Sequence, residues 1–163
     1  MTAHDADLVV PPGGGERVSL YGLDIVYKVE GSATAGGLSI VEHEIRPGVL
    51  VKPHVHTRED EISIVLEGVI TARIGDQIVE AGAGAYVVKP RNVPHAMWNQ
   101  GTATSRVAEI VSPAGFERYF RELAPILAGQ HEESVYRGLA DGYGITVLDD
   151  WTDEIEATYG VKL

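Results

Sequence analysis

The stretch Gly48-Val-Leu-Val-Lys-Pro-His54-Val-His56-Thr-Arg-Glu59-Asp-Glu61-Ile-Ser-Ile-Val-Leu-Glu-Gly68 decides how this chain is read. Side chains two residues apart on an extended strand point to one face, so His54 and His56 project together while Val55 turns away. The apolar run from Ile62 to Leu66 reads as a buried strand, and the bracketing glycines mark turns. A second stretch, Gly84-Ala-Tyr-Val-Val-Lys-Pro90-Arg-Asn92-Val-Pro-His95-Ala-Met-Trp-Asn99, brings a third histidine on another strand-like run. Imidazole nitrogens with a carboxylate oxygen suit a divalent first-row metal such as Fe, Mn, Ni, Co, Cu or Zn.

In these two stretches the chain resembles the cupin family. The family's first motif is Gly, five residues, His-x-His, three or four residues, Glu, six residues and Gly, and Gly48 to Gly68 meets every position. Its second is Gly, five residues, Pro-x-Gly, two residues, His, three residues and Asn, met by Gly84, Pro90, His95 and Asn99. Asn92 departs by standing where the family has a turn glycine, but Asn best tolerates the left-handed backbone after Gly, so the turn is expected to be kept. The resemblance implies an all-β jelly-roll barrel in which His54, His56, Glu61 and His95 hold one divalent transition metal with open positions facing a pocket. Glu59 is the rival to Glu61. Strand parity does not separate the two, whereas the six-residue spacing to Gly68 favours Glu61, and Glu59 is expected to take no part.

Outside the motifs the punctuation is turn chemistry. Strand-like runs appear at Arg17 to Leu20, Asp24 to Val29, Leu38 to Ile45, Tyr86 to Lys89, His95 to Asn99 and Ser105 to Val111, and Val69 to Ile74 with Gln77 to Glu80 flank Gly75-Asp76 as a hairpin. Many short strands separated by Gly and Pro fit a jelly roll. After Ser112 the character changes: Ser112 is a candidate N-cap and Pro113 a first helical residue, with an apolar stripe of Phe116, Tyr119, Phe120, Leu123 and Leu127. Pro125 is expected to kink or end that helix. A second helical stretch runs from about Glu132 to Leu139, and the tail holds a short near-echo, Gly142-Tyr-Gly-Ile-Thr-Val-Leu148 against Thr158-Tyr-Gly-Val-Lys-Leu163, read as a pair of turn-and-strand endings. The expected organisation is one domain: an N-terminal arm and leading strands over 1–30, the barrel core over 31–112, and a helical extension over 113–163 packed on the barrel.

Composition narrows the function. A chain of 163 residues with 44% hydrophobic content supports one sizeable core. A net charge of −11 argues against nucleic acid and anionic membrane surfaces as partners, since both would repel it. There is no cysteine, which removes disulfides and thiolate chemistry. The opening Met1-Thr-Ala-His4-Asp lacks a basic start and a long apolar run, so the expected compartment is the cytoplasm. Gly13-Gly-Gly15 lacks the Lys-Ser/Thr of a phosphate loop, and no Gly-x-Ser-x-Gly elbow is present.

Parity places further residues. Met97 shares the face of His95, with Ala96 and Trp98 opposite, and Ser63 and Val65 share the face of Glu61, so Ser63, Val65 and Met97 are expected to line the substrate pocket. His4, His43 and His131 are expected at the surface. Within the family the chain resembles the small single-cupin oxidoreductases of the quercetin-dioxygenase-like group, and that resemblance implies a dioxygenase-type oxidoreductase in which O₂ attacks a flavonol- or enediol-like hydroxylated carbonyl compound held on the metal. Glu61 would then be both a ligand and the general base. Two alternatives use the same cup: a redox-neutral isomerase, lyase, decarboxylase or polyketide cyclase, and a non-catalytic small-molecule binding protein. A homodimer is implied by the resemblance alone.

Overall fold

Period-two alternation builds the barrel. A computed structural model describes residues 9–129 and 132–162, so His4 and His131 lie outside the described residues. The strands are β1 (Arg17–Leu20), β2 (Leu23–Val29), β3 (Ser39–Ile45), β4 (Leu50–His56), β5 (Asp60–Glu67), β6 (Val69–Ile74), β7 (Gln77–Gly82), β8 (Tyr86–Lys89), β9 (His95–Trp98), β10 (Ser105–Ser112) and β11 (Ile145–Val147). They form a six-stranded sheet ordered β1-β2-β3-β10-β5-β8 and a five-stranded sheet ordered β11-β4-β9-β6-β7. In β3, β5 and β10 every second side chain is buried, so one face of each strand packs against the opposing sheet. Leu23, Ile25, Val41, Ile45, Val65, Ile70 and Val107 are the centre of that core.

Two turns of the motifs show why their residues are needed. Gly68 has φ +75°, and a Cβ there would stand 2.6 Å from Ser105 Oγ, so only glycine fits. Asn92 adopts φ +62° and keeps the turn as expected, and its N–H donates to the His56 carbonyl at 2.7 Å. Asn99, the last motif residue, is fully buried and ties loops together: its Nδ2 donates to the carbonyls of Ile45 and Ala103, each at 2.8 Å.

The helices are α1 (Glu117–Ala128), α2 (Glu133–Gly142) and α3 (Asp149–Tyr159). Helix α1 starts later than the sequence suggests. Ser112 is still paired to Asp60 as the last residue of β10, and its hydroxyl donates to the Gly37 carbonyl, so it is not available as a cap. The first turn is held instead by Glu117, whose carboxylate accepts from the N–H groups of Gly115 and Gly31. Pro125 sits inside the helix without ending it. The echoed tail segments do the same job twice: Gly144 and Gly160 take left-handed φ after α2 and α3, and the chain then pairs with β4 and with Val49 at its start. Helix α3 was the least legible element, because Ile155 is its one buried residue.

Ile155 anchors a second, smaller core with Leu50, Ala96, Trp98 and Val161 on the outer face of the five-stranded sheet. Trp98 therefore faces away from Met97, as parity requires. We expect Ile155→Ala to cost roughly 2–5 kcal/mol in a denaturant melt. A variant as stable as the parent would show that α3 adds nothing to the fold.

Candidate metal centre

His54, His56, Glu61 and His95 come together with their potential ligand atoms all within 4.8 Å of one another. Strand β4 carries two of them and is fixed on both edges: β11 pairs Val147 with His54 and Ile145 with His56, while His54 pairs with His95 of β9. A register shift in the β4–β9 pairing coincides with Pro53, which has no N–H for a ladder.

Each imidazole is held by its Nδ1. That of His54 donates to the Lys52 carbonyl at 2.6 Å, that of His95 to the Val93 carbonyl at 3.1 Å, and that of His56 to the Glu59 carboxylate at 3.1 Å. These acceptors place the proton on Nδ1, so every Nε2 presents a lone pair. The lone pairs converge. His54 Nε2 lies 3.1 Å from His56 Nε2, and Glu61 oxygens lie 3.4 Å from His56 Nε2 and 3.0 Å from His95 Nε2. Although the last distance is short, its direction is wrong for a hydrogen bond, and His95 Nε2 is a buried atom with no hydrogen-bond partner. Three nitrogen lone pairs and a carboxylate face one another with no proton between them, which is a donor set that a cation fits.

Electrostatics keep the set in its ligating state. Burial, with the neighbouring histidines, holds the His54 pKa well below its ordinary value, and burial lowers that of His95. Burial would raise Glu61, but the Lys89 ammonium leads the interactions that outweigh it and hold the carboxyl well below the usual range. Lys89 is itself buried, with its Nζ 3.2 Å from Glu61 and 2.8 Å from Glu109. Its two carboxylate neighbours overcome burial and raise its pKa. Burial pushes Glu109 up to about 7 against the pull of Lys89.

A cavity of about 70 Å³ opens beside the cluster. His54, Glu61 and His95 reach it, as do Met97, His43 and Lys89, while His56 is covered by the Phe116 ring at 4.4 Å. The helical extension covers it: Phe116 just before α1, Tyr119, Phe120 and Leu123 within α1, and Tyr136 of α2 all line it.

Several residues differ from expectation. Ser63 and Val65 face inward but do not line the cavity, because Ser63 donates to Glu109 at 2.9 Å and Val65 is spent in the apolar core. His43 is buried rather than at the surface, since it shares its inward face with Val41 and Ile45. Glu59, expected to take no part, is buried and orients His56. Glu109 and Lys89 join the site without a motif to mark them, and only parity signals them: Glu109 shares its face with Val107 and Val111, and Lys89 with Val87.

Residues 41–111 match the family model described as a cupin domain, so the chain carries a cupin domain. A germin-like protein of Oryza sativa subsp. japonica is 33% identical over 82 residues, which are 46% of this chain and 36% of that protein. The chain thus spans about a third of the curated relative's length. Among solved structures, KdgF from Halomonas sp. superposes with TM-score 0.62 at 18% identity, covering 69% of this chain and 99% of that one. The polyketide cyclase RemF from Streptomyces resistomycificus gives TM-score 0.58 at 22% identity, covering 66% and 80%. Both are similar in fold. Among the described residues no helix is long and apolar enough to cross a membrane.

Glu109 allows a pH test. A carboxyl raised in the folded state keeps a proton that the unfolded chain has released, so its contribution to stability falls as pH rises from 4.5 to about 7. Thermal melts at about pH 5 and about pH 7.5 should therefore differ less in Glu109→Gln than in the parent. An unchanged difference would place the titration elsewhere.

Proposed function

We propose that the protein is a metal-dependent cupin enzyme acting on a small compound that offers two oxygens to the cluster of His54, His56, Glu61 and His95. The observation that carries this reading is the convergence of three Nδ1-protonated imidazoles and one ionised carboxylate on a common point. A divalent ion held there would polarise the substrate oxygens and, if redox-active, couple them to O₂.

The protein's own groups define the rest. Glu61 is the base beside the cavity, kept ionised by Lys89, and it accepts the proton of a substrate hydroxyl. Phe116, Tyr119 and Phe120 exclude water from the reacting oxygens. The cavity volume corresponds to on the order of five ordered waters, which suits a single-ring or acyclic compound better than a three-ring flavonol. The leading reading is a dioxygenase-type oxidoreductase acting on such an enediol or β-diketone. A redox-neutral isomerase, lyase, decarboxylase or cyclase is the second reading, favoured by the buried Glu61–Lys89–Glu109 chain, which can store and return a proton without any oxidant.

Single changes of His54, His56 or His95 to Ala should remove most bound metal from a folded barrel, as measured by elemental analysis. Glu59→Ala should weaken metal binding by roughly 10–100-fold through the lost hold on His56. Glu61→Gln should damage turnover more than metal content. Stoichiometric metal in all three histidine variants would end the metal assignment.

An oxygen electrode separates the two chemistries. We expect O₂ uptake matched to loss of a small enediol or β-diketone added to the metal-loaded protein. Equal rates and identical products in air and under nitrogen would move the protein to the redox-neutral class.

A further inference from the structure

We propose that His43 is a specificity-determining residue of the cavity, taking a hydroxyl of the substrate remote from the two oxygens held at the metal cluster. The inference rests on the metal-chelation reading above. His43 sits in the middle of β3, paired with Ile25 of β2 and Val107 of β10, and it lines the same cavity as His54, Glu61 and His95. The residue is only 4% exposed, and neither of its ring nitrogens has a hydrogen-bond partner. Its one defined ring contact is apolar, an edge-to-face packing on Phe120 at 5.6 Å.

Both inward neighbours on the strand are aliphatic, so Leu or Phe at position 43 would fill this space without leaving a buried polar atom unpaired. The imidazole is therefore a cost to the empty fold that a ligand can recover. The charged groups facing the ring are Lys89 and Glu61; burial and the Lys89 charge hold its pKa down at about 3, so the ring is neutral. A neutral imidazole offers one N–H donor and one acceptor nitrogen. A hydroxyl satisfies either, whereas a carboxylate satisfies only the donor and an ammonium only the acceptor. The substrate class that fits is a small hydroxy-enone or enediol with one additional, non-chelating hydroxyl.

Kojic acid and allomaltol test this directly. They share the chelating hydroxyl–ketone pair on one ring and differ in a remote group, hydroxymethyl in the first and methyl in the second. Both are titrated by calorimetry into the metal-loaded full chain, with metal content and melting temperature measured on the same samples. We expect the parent to prefer kojic acid by about tenfold, the worth of one good hydrogen bond. In His43→Phe the preference should fall to near unity, with allomaltol affinity and metal content unchanged and the melting temperature equal or higher. His43→Gln, which keeps a donor and an acceptor, should retain part of the preference, and His43→Leu carries the comparison if the Phe variant does not fold. No preference in the parent, or the same preference in parent and apolar variant, overturns the role of His43 and leaves the metal reading intact. Failure of both chelators to bind the parent overturns the metal reading and this inference with it.

Discussion

One ammonium buried between two buried carboxylates sets the terms for the interior of this barrel. Lys89 reaches Glu109 on one side and Glu61 on the other, and all three are almost completely removed from water. Taking such charges out of water costs several kcal/mol per ion, and only mutual attraction and full hydrogen bonding offset it. The offset here comes from three adjacent strands: β5 and β8 set Glu61 directly opposite Lys89, and β10 brings Glu109 in opposite Ser63, the next inward position. The arrangement is weak evidence of stability. Its specific effect is on Glu61, whose ionised state burial alone would oppose.

The interior could be read from the sequence wherever parity was followed to the end. The same two-residue rule that put Met97 with His95, and Trp98 against it, also puts Glu109 with Val107 and Val111 and His43 with Val41 and Ile45. For His43 the local signal was masked by Glu42 and Glu44 on either side, which make the segment look like a solvated edge. Those two glutamates point outward instead, where Glu44 meets Arg17 and Glu42 meets Arg106. Glu59 was hidden for a different reason. It stands in the turn before β5, where strand parity has no authority, and only the fold shows that its carboxylate bends back to His56.

The segment after the barrel was legible as amphipathic helix but not as part of the site. An apolar stripe says that a helix covers something, and not what lies beneath. Here the stripe of α1 covers the mouth of the barrel, so Phe116 packs on His56 and Phe120 on His43. Strand β11 then hydrogen-bonds to the segment of β4 that carries His54 and His56. The fold of the extension and the geometry of the cluster are therefore one problem: the helices and β11 hold the histidine strand from its outer edge while their aromatic rings close the cavity.

A jelly roll with such a cluster hosts unrelated reactions, so the discriminating information has to come from the polar atoms that the cluster does not use. In this cavity those are few. Lys52 projects at the rim toward the Tyr136 ring, Lys89 is engaged by two carboxylates, and the nitrogens of His43 are unpaired. The walls are otherwise aliphatic and aromatic. On the proposed reading, a compound that fills the space would chelate a metal at one end and meet, elsewhere, the unpaired nitrogens of His43 and the polar ends of Lys52, Tyr119 and Tyr136. Such a pairing of a chelating end with sparse polar anchors on an apolar wall suits small, oxygen-rich molecules.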